Sequence, residues 1–263
     1  MFQNFTLGKS NGYLVPCLTE MPKTPEGIVI MIHGFESCKE CRSGQLLLRR
    51  LPPAGFGVIC YDQPGHGTAE ARQERVRIGA CMDSLARVEA YCAKQYPGLP
   101  VYYFASSYGA YLVLLYVSKR RHKGTKLFMR SAAVNMPDLF FKADPDPRMV
   151  RDLKTKGYFT PNMDLGNPVK VSKGMLEDLR ANDLPTVFAA ADHQDMAFEM
   201  VHGEEDAVIP ASKAKAFADR FDIPITVMAG QGHSIWETPD APEKVADLAI
   251  DFYKGRHDKR ESR

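Results

Sequence analysis

Val101 to Ser118 (VYYFASSYGAYLVLLYVS) is an unbroken run without a charged residue, and its length reaches that of a membrane-spanning helix. Ser106, Ser107 and Gly109 interrupt it near the middle. The part before them is β-branched and aromatic, and the part after them is rich in Leu, Ala and Tyr. The run therefore reads as a buried strand that turns sharply into a buried helix, not as one span. A strand and helix that are apolar all round must both be covered, which calls for a sheet with helices on its two faces.

The rest of the chain agrees with that demand. Gly27 to Ile32, Gly57 to Tyr61, Lys126 to Val134, Phe198 to Val201 and Pro224 to Met228 are short strand-like runs without polar alternation, as is Val101 to Ala105. Between them, Ile78, Cys81, Met82, Leu85 and Cys92 follow helical spacing, as do Ala214, Phe217, Ala218 and Phe221, and Val245, Leu248, Ala249 and Phe252. The expected fold class is α/β, a mostly parallel central sheet helix-covered on both faces. Phe2 to Leu7 and Tyr13 to Thr19 are expected to form an antiparallel edge. The regularity fails between Pro137 and Asp195, where Pro145, Pro147, Gly157 and Pro161 punctuate short apolar pieces. The expectation is one domain over residues 1–263 with an inserted cap over residues 137–195.

Composition narrows the function classes. With 34 Lys and Arg against 32 Asp and Glu, the formal charge of +2 gives no ground for a nucleic-acid partner. Met1 to Lys9 lacks the basic and apolar segments of a secretory signal, so the cytoplasm is the expected compartment. The six cysteines are then expected to be reduced thiols. Cys38 and Cys41 form a lone C-x-x-C without a second pair to complete a zinc site, and read as plain thiols at a helix start.

The chemistry centres on Ala105-Ser106-Ser107-Tyr108-Gly109, at the turn from strand to helix. Residues two before and two after a nucleophile face each other across such a turn and must be small, which Ala105 and Gly109 satisfy around Ser107. Ser106 would need small residues at Phe104 and Tyr108, and fails. A serine needs a base and an orienting acid. His202-Gly203-Glu204-Glu205-Asp206 leaves one predicted strand end and Gln231-Gly232-His233 follows the next, at the sheet edge where Ser107 is expected. Of the three acids, Asp206 lies deepest in its loop. His33-Gly34-Phe35 follows the first central strand, so the backbone N–H groups of Phe35 and Tyr108 are candidates for an oxyanion hole. His33 is read as bracing this loop, and His66, between Gly65 and Gly67, as structural.

With these pieces and Asp62-Gln63-Pro64-Gly65-His66-Gly67 in place, the chain resembles the α/β-hydrolase superfamily of serine hydrolases over nearly its whole length. It looks most like the small bacterial esterases related to monoacylglycerol lipases and feruloyl (cinnamoyl) esterases. The resemblance implies a nucleophile Ser107, base His233 and acid Asp206, with no cofactor and no metal. Ala105, where the family usually has glycine, is the one departure.

The function expected is hydrolysis of short or medium acyl or aryl esters of a small molecule, with no membrane span. Phe140, Phe141 and Phe159 of the cap are expected to line the substrate pocket. An aminopeptidase-like amide hydrolase would use the same triad, with Asp138, Asp144, Asp146 or Asp152 anchoring a substrate amine. A non-catalytic ligand-binding hydrolase fold is the alternative from another class. Oligomeric state is not legible.

Overall fold

Neighbouring residues of the central strands send their side chains into two different apolar layers. Ile28, Ile30 and Ile32 lie in one and Val29 and Met31 in the other; Tyr103 and Ala105 likewise oppose Phe104. The two-residue side-chain period of a strand, with both faces covered by helices, is why these stretches show no polar alternation. A computed structural model describes residues 2–10, 13–68, 76–141, 145–161, 168–189, 191 and 193–256. Asp144 lies outside the described residues.

The strands are β1 (Gln3–Ser10), β2 (Tyr13–Glu20), β3 (Gly27–Ile32), β4 (Phe56–Tyr61), β5 (Val101–Ser106), β6 (Gly124–Arg130), β7 (Tyr158–Phe159), β8 (Val171–Ser172), β9 (Ala197–Gly203) and β10 (Ile225–Met228). The helices are α1 (Arg42–Arg50), α2 (Ile78–Gln95), α3 (Tyr108–Lys119), α4 (Pro147–Lys156), α5 (Lys173–Ala181), α6 (Leu184–Ala189), α7 (Ala211–Arg220) and α8 (Ala241–Tyr253). Eight strands form one sheet in the order β1-β2-β4-β3-β5-β6-β9-β10. β1 and β2 are antiparallel to each other, and β2 to β4, while the remaining neighbours are parallel. The chain thus has the α/β-hydrolase fold, with the expected antiparallel edge.

Helices α1 and α8 cover one face. Val245, Ala249 and Phe252 of α8 pack with Leu47 and Leu48 of α1 onto Phe104 and Phe128 of the sheet. Burying such Val, Leu and Phe side chains contributes about 1.5–3 kcal/mol each. The other face carries α2, α3 and α7, together with α5 and α6 from the segment between β6 and β9. In the same segment β7 and β8 form a separate two-stranded sheet.

One strand stops earlier than its apolar run suggests. β6 ends at Arg130, because Ser131 adopts a left-handed φ of 51°, although its N–H still makes the last ladder bond to the carbonyl of Val201 on β9, 2.9 Å away. Ala132, Ala133 and Val134 are buried as a loop. Because β3, β5, β6, β9 and β10 run parallel, the loops after them all emerge at one edge of the sheet.

Candidate active site

Ser107 stands at the junction of β5 and α3 with φ 51° and ψ −117°, a conformation costing a non-glycine residue on the order of 1–3 kcal/mol. Its backbone is tied on both sides: its N–H donates to the carbonyl of Arg130 at 2.9 Å, and its carbonyl accepts from Ala110 and Ala133 at 3.0 and 3.2 Å. Gly109 is required by contact: a Cβ there would sit 2.3 Å from the carbonyl oxygen of Ile32. Ala105 is fully buried in β5 opposite Ile32 and Met129; its methyl is absorbed by the core, so its departure from glycine leaves the turn intact.

The Ser107 hydroxyl lies 2.9 Å from Nε2 of His233, and Nδ1 of that ring lies 2.7 Å from Oδ2 of Asp206. A carboxylate only accepts, so Nδ1 carries the proton and Nε2 is left free to accept from Ser107. Asp206 is held firmly. Its Oδ1 accepts from the backbone N–H groups of Val208 and Ile209 at 2.9 and 2.8 Å, and its Oδ2 also receives Nε2 of His202 at 3.1 Å. Burial alone would push the Asp206 carboxyl up, but the hydrogen bonds from His202, His233 and the backbone outweigh it and hold the group well below the usual carboxylate range.

The loop bearing His233 is positioned from three directions. Its carbonyl accepts from the Ser131 hydroxyl at 2.8 Å and from Arg130 Nη1 at 3.0 Å. The Gln231 carbonyl accepts from the N–H of Glu205 at 2.9 Å. Gly203 makes the last approach feasible, since a Cβ on it would lie 2.2 Å from the carbonyl of Gly232.

His33-Gly34-Phe35 lies against the serine, for a Cβ on Gly34 would be 3.4 Å from Cβ of Ser107. His33 is fully buried. Its Nδ1 lies 2.8 Å from the Gly34 carbonyl and its Nε2 accepts from the N–H of Gln63 at 3.1 Å, while burial keeps its pKa below the ordinary value. It is a neutral brace. His66 is also buried, and burial drives it down to about 3; its ring meets Phe35 and Tyr108. Behind this loop, Asp62 accepts from the backbone and ammonium of Lys39 at 2.7 and 3.1 Å and from the backbone and hydroxyl of Thr68 at 2.9 and 2.8 Å.

Ser107 and His233 open onto a cavity of about 470 Å³ whose other walls include Phe35, Cys41, Arg42, Ser43, Arg130 and Trp236. The three phenylalanines expected to line it do not. Phe140 and Phe159 line a second cavity of about 350 Å³ with Leu139 and Met149. Phe140 meets Phe35 edge-on at 5.9 Å, and Phe141 is covered by the Arg180 guanidinium at 4.4 Å. The reason is local: the chain leaving β6 turns back at Ser131, which lays the following segment beside Phe35 instead of over the serine. Arg42, Arg130, Trp236 and His202 were not singled out from the sequence. Arg130 had a signal, being the one charged residue in the apolar run Leu127 to Val134.

Residues 23–183 match the family model described as serine aminopeptidase, S33. The chain belongs to that family. A monoacylglycerol lipase of Mycolicibacterium smegmatis is 22% identical over 250 residues, spanning 85% of this chain and 87% of the relative. The fold is shared with the ferulic acid complex of Est1E from Butyrivibrio proteoclasticus, at a TM-score of 0.73 and 20% identity over 95% of this chain and 98% of that one. A thermostable carboxyl esterase from Bacillus coagulans with glycerol bound has a TM-score of 0.73 and 16% identity over 97% and 98% of the two chains. Among the described residues no helix is long and apolar enough to cross a membrane, and no group of three or more His, Cys, Asp or Glu is placed to hold a metal ion.

Proposed function

We propose that the protein hydrolyses carboxylic esters of a small molecule through an acyl-enzyme on Ser107. The observation that carries this is the continuous path from Ser107 Oγ to His233 Nε2 at 2.9 Å and from His233 Nδ1 to Asp206 Oδ2 at 2.7 Å. In the first step Oγ attacks the carbonyl carbon while Nε2 takes its proton, and Asp206 stabilises the imidazolium that forms. The carbonyl oxygen, now negative, is received by the N–H groups of Phe35 and Tyr108. Tyr108 is the first residue of α3, so its N–H has no intrahelical partner and lies at the positive end of the helix dipole. As the intermediate collapses, His233 returns the proton to the leaving alcohol. Water then repeats the sequence on the acyl-enzyme and frees the acid.

The family's description names an aminopeptidase, and the cavity favours the ester reading over that one. An aminopeptidase must hold a substrate ammonium near the serine, which calls for an acidic wall. Among the described residues the cavity at Ser107 is walled by Arg42 and Arg130 and by no Asp or Glu. Asp146 and Asp152 lie instead on the second cavity, where Asp146 caps α4 through the N–H of Arg148 and Asp152 pairs with Lys156 at 3.0 Å. The monoacylglycerol lipase name of the relative supports an acyl ester, and the ferulic acid of the structural neighbour supports an aryl one. Of the proposed cap, Phe140 lies beside Phe35 and Phe159 beside Phe140, so both stand next to the Ser107 cavity and not in it.

A serine-reactive phosphonate, mapped by mass spectrometry, tests the nucleophile directly. The expected adduct is on Ser107, with turnover of aryl and short-chain esters and none of aminoacyl amides. An adduct elsewhere, or faster cleavage of amides, would sink this reading.

A further inference from the structure

Two arginines line the cavity that holds Ser107, and neither forms an ion pair with an acid among the described residues. Arg130 reaches it from the end of β6. Its Nε donates to the hydroxyl of Ser106 at 3.1 Å, and its Nη1 donates to the carbonyls of His233 and Ser234 at 3.0 and 2.6 Å. These acceptors are all neutral, and Nη2, with two N–H groups, holds no acceptor among the described residues. Arg42, the first residue of α1, lies with its guanidinium 5.7 Å from the centre of the Trp236 ring. Ser37, Ser43, Ser106 and Ser234 add hydroxyls to the same walls. The first turn of α1 also contributes wall residues, so the positive end of its dipole acts on the same space.

Asp206 and Glu237, whose charges reach Arg130, make no ion pair with it and turn their oxygens to other donors. Both oxygens of Asp206 are taken up by the bonds described above, and Glu237 turns Oε2 to the N–H of Trp236 at 2.8 Å. A half-buried Arg held by neutral oxygens keeps its full charge, because a guanidinium does not deprotonate in proteins. Two such charges in one cavity raise the local concentration of anions and repel cations. The free Nη2 edge of Arg130 is shaped to receive an oxyanion, while Trp236 with Arg42 offers a flat face for an aryl ring.

We infer that the substrate is an ester carrying a second, anionic oxyacid group, a carboxylate or phosphate, which Arg130 and Arg42 hold in the Ser107 cavity. This rests on the ester-hydrolase reading above and specifies its substrate class. The anionic group binds in ground and transition states alike, so it lowers KM more than it raises kcat.

The test uses matched ester pairs in two arms. On the acyl side, an aryl hemisuccinate is compared with the same aryl butyrate. On the alcohol side, the butyryl ester of 4-hydroxybenzoate is compared with that of its methyl ester. A phosphate-bearing phenol replaces the carboxylate in a third comparison, to distinguish the two oxyacids. The expected result is a kcat/KM about tenfold higher for the anionic member in at least one arm, mainly through KM, with the advantage shrinking as salt is added. Arg42→Gln and Arg130→Gln should each cut the anionic-to-neutral ratio several-fold, and Arg130→Lys should restore part of it. The ratio is internally controlled, so a general loss of activity in Arg130→Gln does not mask the answer. Equal or neutral-favoured kcat/KM in every arm, with Ser107 still labelled by a neutral phosphonate, overturns the anionic substrate and leaves ester hydrolysis standing. Failure of both labelling and ester turnover overturns both.

Discussion

His202 donates to the same Asp206 oxygen that receives His233: Nε2 of His202 lies 3.1 Å from Oδ2 and Nδ1 of His233 lies 2.7 Å from it. His202 is fully buried, its Nε2 also reaches the Ile209 carbonyl at 2.8 Å, and its Nδ1 has no partner among the described residues. A proton on Nε2 serves both oxygens, and an uncharged ring leaves only a lone pair unpaired at Nδ1. His202 is thus a positioning residue that fixes the direction in which Asp206 faces His233. His202→Ala is expected to lower kcat roughly ten- to a hundredfold with little change in KM, the range that small misplacements of reacting groups cost. His202→Gln, which retains an N–H donor, should recover part of the loss. A His202→Ala enzyme with unchanged kcat, or a Gln variant no better than Ala, would remove His202 from this role.

Ser107→Ala and His233→Ala should each reduce ester turnover by on the order of 10⁶, and Asp206→Asn by distinctly less, as in other triads dissected one residue at a time. Steady-state rates with one aryl ester, alongside circular dichroism to verify folding, provide the check. Comparable activity in Ser107→Ala would reassign the nucleophile.

Gly203→Ala should damage activity more than stability. The new methyl would collide with the Gly232 carbonyl and push the His233 loop away from Asp206. A loss of roughly a hundredfold in kcat is expected, with a smaller effect on folding seen as a lowered thermal midpoint, because backbone atoms must shift to admit the methyl. Full activity in a folded Gly203→Ala protein would show that the two loops have slack between them.

Stability should fall between pH 4.5 and about 7 because of Glu89. This carboxyl is on the buried face of α2, where it accepts from the hydroxyls of Tyr103 and Tyr116 and from the N–H of Lys123. Burial outweighs those bonds and raises it from 4.5 to about 7. Below 4.5 it is neutral in the folded and unfolded chains alike, so nothing is lost. Above about 7 the folded protein must hold a buried charge that the unfolded chain exposes to water, a difference of about 3 kcal/mol at 1.36 kcal/mol per pH unit. Urea unfolding of Glu89→Gln at pH 5 and pH 8 should show a smaller pH difference than the parent. An identical pH difference in the two proteins would contradict this account.

Cys41 should be the thiol through which alkylation inhibits. It lines the Ser107 cavity and caps α1, its Sγ accepting from the N–H of Gly44 at 3.4 Å. Cys17, Cys60, Cys81 and Cys92 are buried, and burial raises each of their thiol pKa values. A bulky maleimide should block the parent and Cys38→Ser but spare Cys41→Ser, which keeps the cap because serine is a preferred N-cap residue. Inhibition that persists in Cys41→Ser would point to another thiol.

The parts of the site that were legible in the sequence are those where the backbone allows few residues. Gly109 has no room for a side chain and Ser107 must bear a left-handed φ, so the strand-to-helix turn leaves its mark as small-x-Ser-x-small. The expected order of strands and helices was legible for a similar reason, since strands buried on both faces must be apolar throughout. The cavity walls were not. Arg42, Arg130 and Trp236 come from three separate segments, and only the packing of α1 against the sheet brings their side chains to one space. Phe140, Phe141 and Phe159 show the reverse case: their apolar character was plain, but the turn at Ser131 decides which cavity they face.

Ser107 and His233, the proposed nucleophile and base, lie 126 positions apart in the chain, and β9 and β10, whose following loops hold Asp206 and His233, come after β6. During synthesis from the N-terminus, the nucleophile is therefore made long before its base. On the proposed mechanism, a chain made only through β6 contains Ser107 but neither Asp206 nor His233, and so lacks the base that would remove its proton. Reactivity on that mechanism would arise only once β9 and β10 have joined the sheet edge, so that completion of the fold and the onset of chemistry would be one event.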